Sequence, residues 1–433
     1  MKTIVKQTTL AAALALGLFS QAQAATEPVI SEQRPVGAFK NIQLDGPYQV
    51  MIKAQGTPSL SLTGTKERLA DIETRISGDT LIVGSRKRNG LHFGFHFGKQ
   101  RDRISIAISA PMLKELSMSG SGDVELEQLS GEQFSINASG PGNLRASGAV
   151  RELNVASSGS GDLNLEKLGA TNVRLTMSGP GDVSMAGING DFKIDASGSG
   201  DLHASGLQAT KVNARMHGPG DVTLAGSSGE LKVDVSGSGD FAGCALAVES
   251  ASAVLHGPGN GCVSGKIKTF EASVHGSGDL VARGLMAPSA RIQLSGPGSA
   301  TLDGAVGALS ADVSGSGDLE AQKLNVTNAD LRSSGPGGMH LATVSGTLAV
   351  HMSGSGEFEA AMAGKRMELD MGGPGEAHVS GAVESVKVTL HGSGDLEARG
   401  LVVSGTSDVT VQGPGSANIN QSSFGRGTRS AGR

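Results

Sequence analysis

The sequence predicts an all-β protein, a parallel β-helix (β-solenoid) with about 20 residues per coil and a 39-residue double repeat. Three observations predict it. A G-x-G phrase recurs sixteen times from Gly120 onward, and its middle residue alternates between Ser and Pro, from Ser121 and Pro141 to Ser393 and Pro414. On both sides of the phrase apolar and polar residues alternate with the period of a strand. The composition, with 66 Gly, no Trp and one Tyr but evenly spread small aliphatics, calls for a thin and regular interior. No three-residue glycine period is present, which excludes collagen.

The chain opens with Lys2 and Lys6, the apolar run "LAAALALGLF" and then "AQA" at Ala22 to Ala24, so residues 1–24 are expected to be a secretory signal. That run is shorter than the roughly 20 apolar residues a spanning helix needs. Residues 25–113 read as an N-terminal β segment capping the solenoid, 114–418 as the repeat array, and 419–433 as a disordered basic tail. Losing Lys2 and Lys6 with the signal takes the formal charge from −5 to −7. Such a balance favours solubility and gives no electrostatic footprint for nucleic acid.

Within the array the step between phrases alternates between 20 and 19 residues. In "FKIDASGSGD" the residues Phe192, Ile194 and Ala196 face one way, and Lys193, Asp195 and Ser197 the other. The same parity turns both glycines inward and the Ser or Pro outward. Each unit therefore reads as two short strands meeting at a G-x-G corner, with a second turn such as "LSGEQ" or "INGD". Inward glycines are expected where a side chain would strike the opposite wall. Proline fits if its missing N–H has no ladder partner at the corner. A unit of this size cannot bury its own face, but stacked copies bury one another's, at about five aliphatic side chains per coil.

Two coil sizes fit this spacing. The third residue after the first Gly is acidic behind every Ser corner: Asp123, Asp162, Asp201, Asp240, Asp279, Asp318, Glu357 and Asp395. Behind Pro corners it is mixed: Asn143, Asp182, Asp221, Asn260, Ser299, Gly338, Glu376 and Ser416. A 39-residue coil would stack the acidic set one strand spacing apart, about 4.8 Å, where like charges repel by about 1 kcal/mol in water and more at a protein surface. The 20-residue coil separates several of them by neutral residues and is favoured, giving a rod on the order of 75 Å.

Ahead of the array stand "FKNIQLDGPYQVMIK", "GDTLIV" at Gly78 to Val83, and the passage from Pro111 to Asp123. This series resembles the bacterial head GIN domain family, often labelled "putative auto-transporter adhesin". The resemblance covers residues 36 to about 416. It implies an exported β-helical protein with right-handed coiling, and it carries no catalytic residues to transfer. The stretch after Ser416 is too short for an outer-membrane barrel.

Candidate sites are few. The acids of the array invite a calcium reading, but calcium-binding β-rolls need a nine-residue period. Each Asp is expected instead to accept backbone N–H groups at its own corner. His92 and His96 in "LHFGFHFG", Leu91 to Gly98, read as a strand or hairpin near the N-terminal end, packed over the first coils or exposed to a membrane or partner. His217, His256, His275 and His391 lie just before a corner and point outward to solvent. Arg426, Arg429 and Arg433 fall in the tail. Cys244 and Cys262 would sit on adjacent coils, offset diagonally, and the sequence leaves both a bond and two free thiols open.

No catalytic, cofactor-binding or metal-binding residue is expected, and no cofactor. The favoured reading is a non-catalytic, adhesin-like binding protein in the periplasm, on the outer-membrane surface or outside the cell. A glycan, a cell-envelope surface or another protein surface would be its partner. A polysaccharide-active β-helix enzyme and a passive envelope scaffold are the alternatives. The first needs acids and bases converging at one place, whereas here they are spread evenly.

Overall fold

In the computed structural model the described residues are 28–86 and 104–420. They form strands almost throughout, with one short helix at Lys66–Ala70. The expected signal peptide, the His92/His96 segment and the arginines of the tail lie outside the described residues.

A coil from the middle of the array shows the plan. Strand Leu163–Met177 pairs in parallel with Leu144–Ser157 on one side, and with Val183–Ala186 and Asp191–Ala196 on the other. Leu144 stands opposite Leu163, and Leu163 opposite Val183, so one coil consumes one G-x-G unit. The 20-residue coil is the observed one. Leu163, Leu165, Leu168, Ala170, Val173, Leu175 and Met177 all turn inward in this strand and are buried. This coil buries seven apolar side chains and the one before it five, Leu144, Ala146, Val150, Leu153 and Val155, so the expected five is met or exceeded in both, and the burial on which a stacked repeat depends is collective.

The alternation in this strand slips phase at Glu166/Lys167 and again at Thr171/Asn172. Each slip is a bend, so the coil has three sides. In most coils these bends lie inside one long strand, as in Val124–Ala138, where a second turn was expected at "LSGEQ". The chain makes them with β-bulges, such as the register shift between Arg145 and Ser147, and with glycines at positive φ such as Gly148. Bulges turn the chain without surrendering its hydrogen bonds to the neighbouring coils. The strand breaks around "INGD", near Ser345–Gly346, and twice in the last coil, after Ala398 and after Val403.

The G-x-G corner is the third and sharper bend. Its ladder is carried by the N–H groups flanking the middle residue: Ser178 donates to Ser157 O at 2.8 Å and Gly181 to Gly159 O at 3.2 Å. The middle nitrogen takes no part, which is why Pro180 fits there. A Cβ on Gly181 would come within 2.2 Å of Gly161 O, and one on Gly179 within 2.2 Å of Gly159 O. The obstacle is therefore the carbonyl of the same corner one coil earlier, and not the opposite wall.

This column of corners begins before the regular array. Gly122 donates to Gly46 O at 3.1 Å, so Gly46-Pro47-Tyr48 is a first corner with Tyr48 in place of the second glycine. Its flanking strands, Asn41–Asp45 and Gln49–Lys53, each lie between two parallel neighbours. Beyond them the sheet is extended by antiparallel strands: Ile72–Ser77 on Thr80–Ser85, Ser59–Thr65 on Ser105–Ser109, and Val29–Arg34 on Ser59–Thr65. At the other end Glu376–Leu390 carries Asp395–Ala398, Leu401–Val403 and Ser407–Val411, and Ala417–Ile419 pairs with Asp395–Ala398.

Candidate functional site

Because the interior is apolar, the chemistry of this chain lies on outward columns in which one position of the unit is stacked coil upon coil. Three columns line the corner edge.

The first holds the acids. Asp162 Oδ1 accepts the N–H of Asp182 at 3.1 Å, Asp182 that of Asp201 at 2.8 Å, Asp201 that of Asp221 at 2.9 Å, and Asp221 that of Asp240 at 2.8 Å. The acceptor thus reaches the corner of the next coil, where the sequence reading placed the bond within its own corner. Asn143, Asn260 and Ser299 take the same place, with their side-chain oxygens bonded to the N–H groups of Asp162, Asp279 and Asp318. Neutral residues do separate the acids there. From Asp162 to Asp240, however, five carboxylates follow one another without interruption. A hydrogen bond to an ionised acceptor at each rung offsets their repulsion. At Asp395 the hydroxyl and backbone N–H of Ser416 hold the carboxyl below its usual range.

The second column is the alternating Ser and Pro. In the third, just before the corner, Ser139, Ser197 and Ser236 direct Oγ to a carbonyl of the preceding coil. The outward histidines belong here too, and they contact one another as well as solvent. His256 and His275 stack with ring centroids 5.0 Å apart, His275 Nδ1 lies 2.7 Å from Ser295 Oγ, and His217 Nδ1 lies 2.5 Å from Ser236 Oγ.

On the side that follows the corner, Cys244 and Cys262 form a disulfide between adjacent coils, their Cα atoms 5.2 Å apart. Farther along the same side is a column that the sequence reading missed. Glu320, His340, Glu359, His378 and Glu397 are direct partners in successive coils. Beside it Glu357, Glu376 and Asp395 are likewise partners. His378 Nε2 lies 3.1 Å from Glu376 Oε1 and 3.9 Å from Glu357 Oε1, and His340 Nδ1 lies 3.5 Å from Glu359 Oε2. No single unit reveals this alternation; it emerges when the fifth position after each first Gly is read down the chain.

A shallow groove of about 480 Å³ crosses five coils on another side, with Glu271, Arg291, Ser310 and Asp330 in successive coils and with Thr269, Asn328 and Thr347 also lining it. Among the described residues no three His, Cys, Asp or Glu side chains already converge as ligands of one metal ion. No helix among them is long and apolar enough to cross a membrane.

A family model described as "Putative auto-transporter adhesin, head GIN domain" matches residues 38–190, 174–264, 227–302, 260–350 and 340–424. No curated protein matches the chain. Similar solved structures include a "putative adhesin" from Bacteroides fragilis, 16% identical over 71% of this chain and 98% of that one, with a TM-score of 0.26. A "putative adhesin" from Parabacteroides distasonis is 12% identical over 69% and 97%, with a TM-score of 0.33. A "putative lipid binding protein" from Parabacteroides distasonis is 14% identical over 91% and 97%, with a TM-score of 0.23.

Proposed function

The chain belongs to the family described as putative auto-transporter adhesin, head GIN domain, and on that premise we propose that it is an exported, non-catalytic β-solenoid that binds surfaces through its outward columns. The observation that carries this reading is the acid column, in which one hydrogen-bonding pattern recurs at one strand spacing along most of the rod. Such a face offers a partner many equal and weak contacts, which is how a repeated array gains avidity. A catalytic centre needs unlike groups gathered at one place.

Export is supported by the Lys2-to-Ala24 segment and by the disulfide between Cys244 and Cys262, a bond typical of oxidising compartments. In this reading residues 25–113 cap the rod, 114–418 present its faces and 419–433 form a basic tail. The partner is a glycan, a cell-envelope surface or another protein surface.

The test is glycan-array binding and cell attachment with the mature protein, alongside fractionation of cells that express the full chain. Binding in either assay, with the protein outside the cytoplasm, is the expected result. Silence in both assays would overturn the reading and leave a passive envelope scaffold ahead, and a cytoplasmic protein would overturn both.

A further inference from the structure

The column of alternating Glu and His is a different chemical object from the acid column. Across three successive coils it brings two imidazoles and three carboxylates onto one outward face: His340, then Glu357 and Glu359, then Glu376 and His378. Among the described residues, the ion pairs of Glu357, Glu359 and Glu376 are with histidine alone. No lysine or arginine among the described residues pairs with them, and there the face retains a negative charge that a dication would balance.

We propose that His378, Glu357 and Glu376 form a binding site for a divalent transition-metal ion of the zinc class. Two donors that share a tetrahedral zinc stand roughly 3.4 Å apart, because each lies about 2.1 Å from the ion. The distances from His378 Nε2 to the two carboxylate oxygens, 3.1 and 3.9 Å, bracket that span. One coil earlier His340 Nδ1 is buried with no hydrogen-bond partner and faces Glu359 Oε2 at 3.5 Å. That separation is too long for a hydrogen bond but suits two donors on one ion, so the same span recurs independently along the column. As the side chains stand the ligands have not converged. His378, Glu357 and Glu376 are 39, 53 and 59% exposed and sit on rigid paired strands, so closing on an ion requires only side-chain rotation. Imidazole beside carboxylate selects zinc, nickel or copper over calcium and magnesium, which take oxygen ligands alone. The site does not depend on the surface-binding role proposed above.

The test is calorimetric titration of the chelator-stripped mature chain with zinc, with calcium and magnesium titrated in parallel. It is repeated for His378→Gln and for the double variant Glu357→Gln/Glu376→Gln, with far-ultraviolet circular dichroism confirming that each remains folded. The wild type is expected to take up zinc, and both variants to lose at least about tenfold in affinity for one equivalent, no less than the loss of an outer-shell partner typically costs. Wild-type protein that takes up no zinc would overturn the proposal. So would variants that bind it with unchanged affinity and stoichiometry, because the ion would then lie elsewhere, for example at His256 and His275. Calcium or magnesium binding as tight as that of zinc would overturn the assignment of metal class.

Discussion

The Oδ1 of Asp201 accepts the backbone N–H of Asp221, 2.9 Å away in the next coil. The aspartates of this chain are thereby rungs between coils, each satisfying a backbone donor that the corner leaves outside the strand ladder. Replacing Asp201 by Ala should cost about 0.5–1.5 kcal/mol and speed hydrogen exchange at the Asp221 amide. Replacing it by Asn should do neither, because Asn260 already serves Asp279 in this way. Amide exchange followed by mass spectrometry or NMR checks both, and equal exchange in the Ala variant would count against the rung.

Glycines at different positions of the unit differ in what surrounds them. A Cβ on Gly181 meets Gly161 O at 2.2 Å, whereas one on Gly131 meets nothing within 4 Å. Gly181→Ala should destabilise by about 3 kcal/mol or more through backbone displacement, and Gly131→Ala should stay within about 1 kcal/mol of the wild type. Thermal unfolding of the two variants side by side reads the contrast.

The corner nitrogens make a similar distinction. Ser160 occupies the position that Pro holds at Pro141 and Pro180, so Ser160→Pro should change stability by less than about 1 kcal/mol. Two residues earlier Ser158 donates its N–H to Ala138 O at 2.8 Å. Ser158→Pro deletes that bond and should cost about 1–3 kcal/mol. Denaturant midpoints for the pair provide the check.

Acid should loosen the last coil through Asp395. Its carboxyl is held below the ordinary value of 3.8 by hydrogen bonds from the Ser416 hydroxyl and N–H. A lowered carboxyl pKa contributes stability that is present above the unfolded value and lost as pH falls through the folded one. Ser416 and the strand Ala417–Ile419 behind it should therefore lose exchange protection below about pH 4, before the middle coils do. Ser416→Ala weakens the hydrogen bonding and should move that loss to higher pH.

Much of this fold is legible in the chain because the same steric demand recurs at every corner. Gly179 and Gly181 must be glycine for the carbonyls beneath them, and the alternation from Phe192 to Ala196 fixes which side faces in. Gly46-Pro47-Tyr48 escapes that reading because its second glycine is missing, although Gly122 stacks on it like any later corner. The bends near Gly148 escape it too, since bulges leave the hydrophobic pattern only slightly out of phase. The partner of each aspartate was misplaced because a side chain that reaches the next coil looks, in one dimension, like a side chain in a turn. The column of His340, Glu359 and His378 was invisible for the same reason: its members lie in different units, and only the register of the coils makes them neighbours.

The ladder, the outward columns and the proposed sites all follow from one claim, that each G-x-G unit completes one coil. Spin labels placed on the exposed corner residues Ser160 and Ser355, ten units apart, measure it directly. At one strand spacing per unit, double electron–electron resonance should give a separation of roughly 48 Å, widened slightly by the label linkers. A separation near 24 Å, as two units per coil would give, would contradict the account.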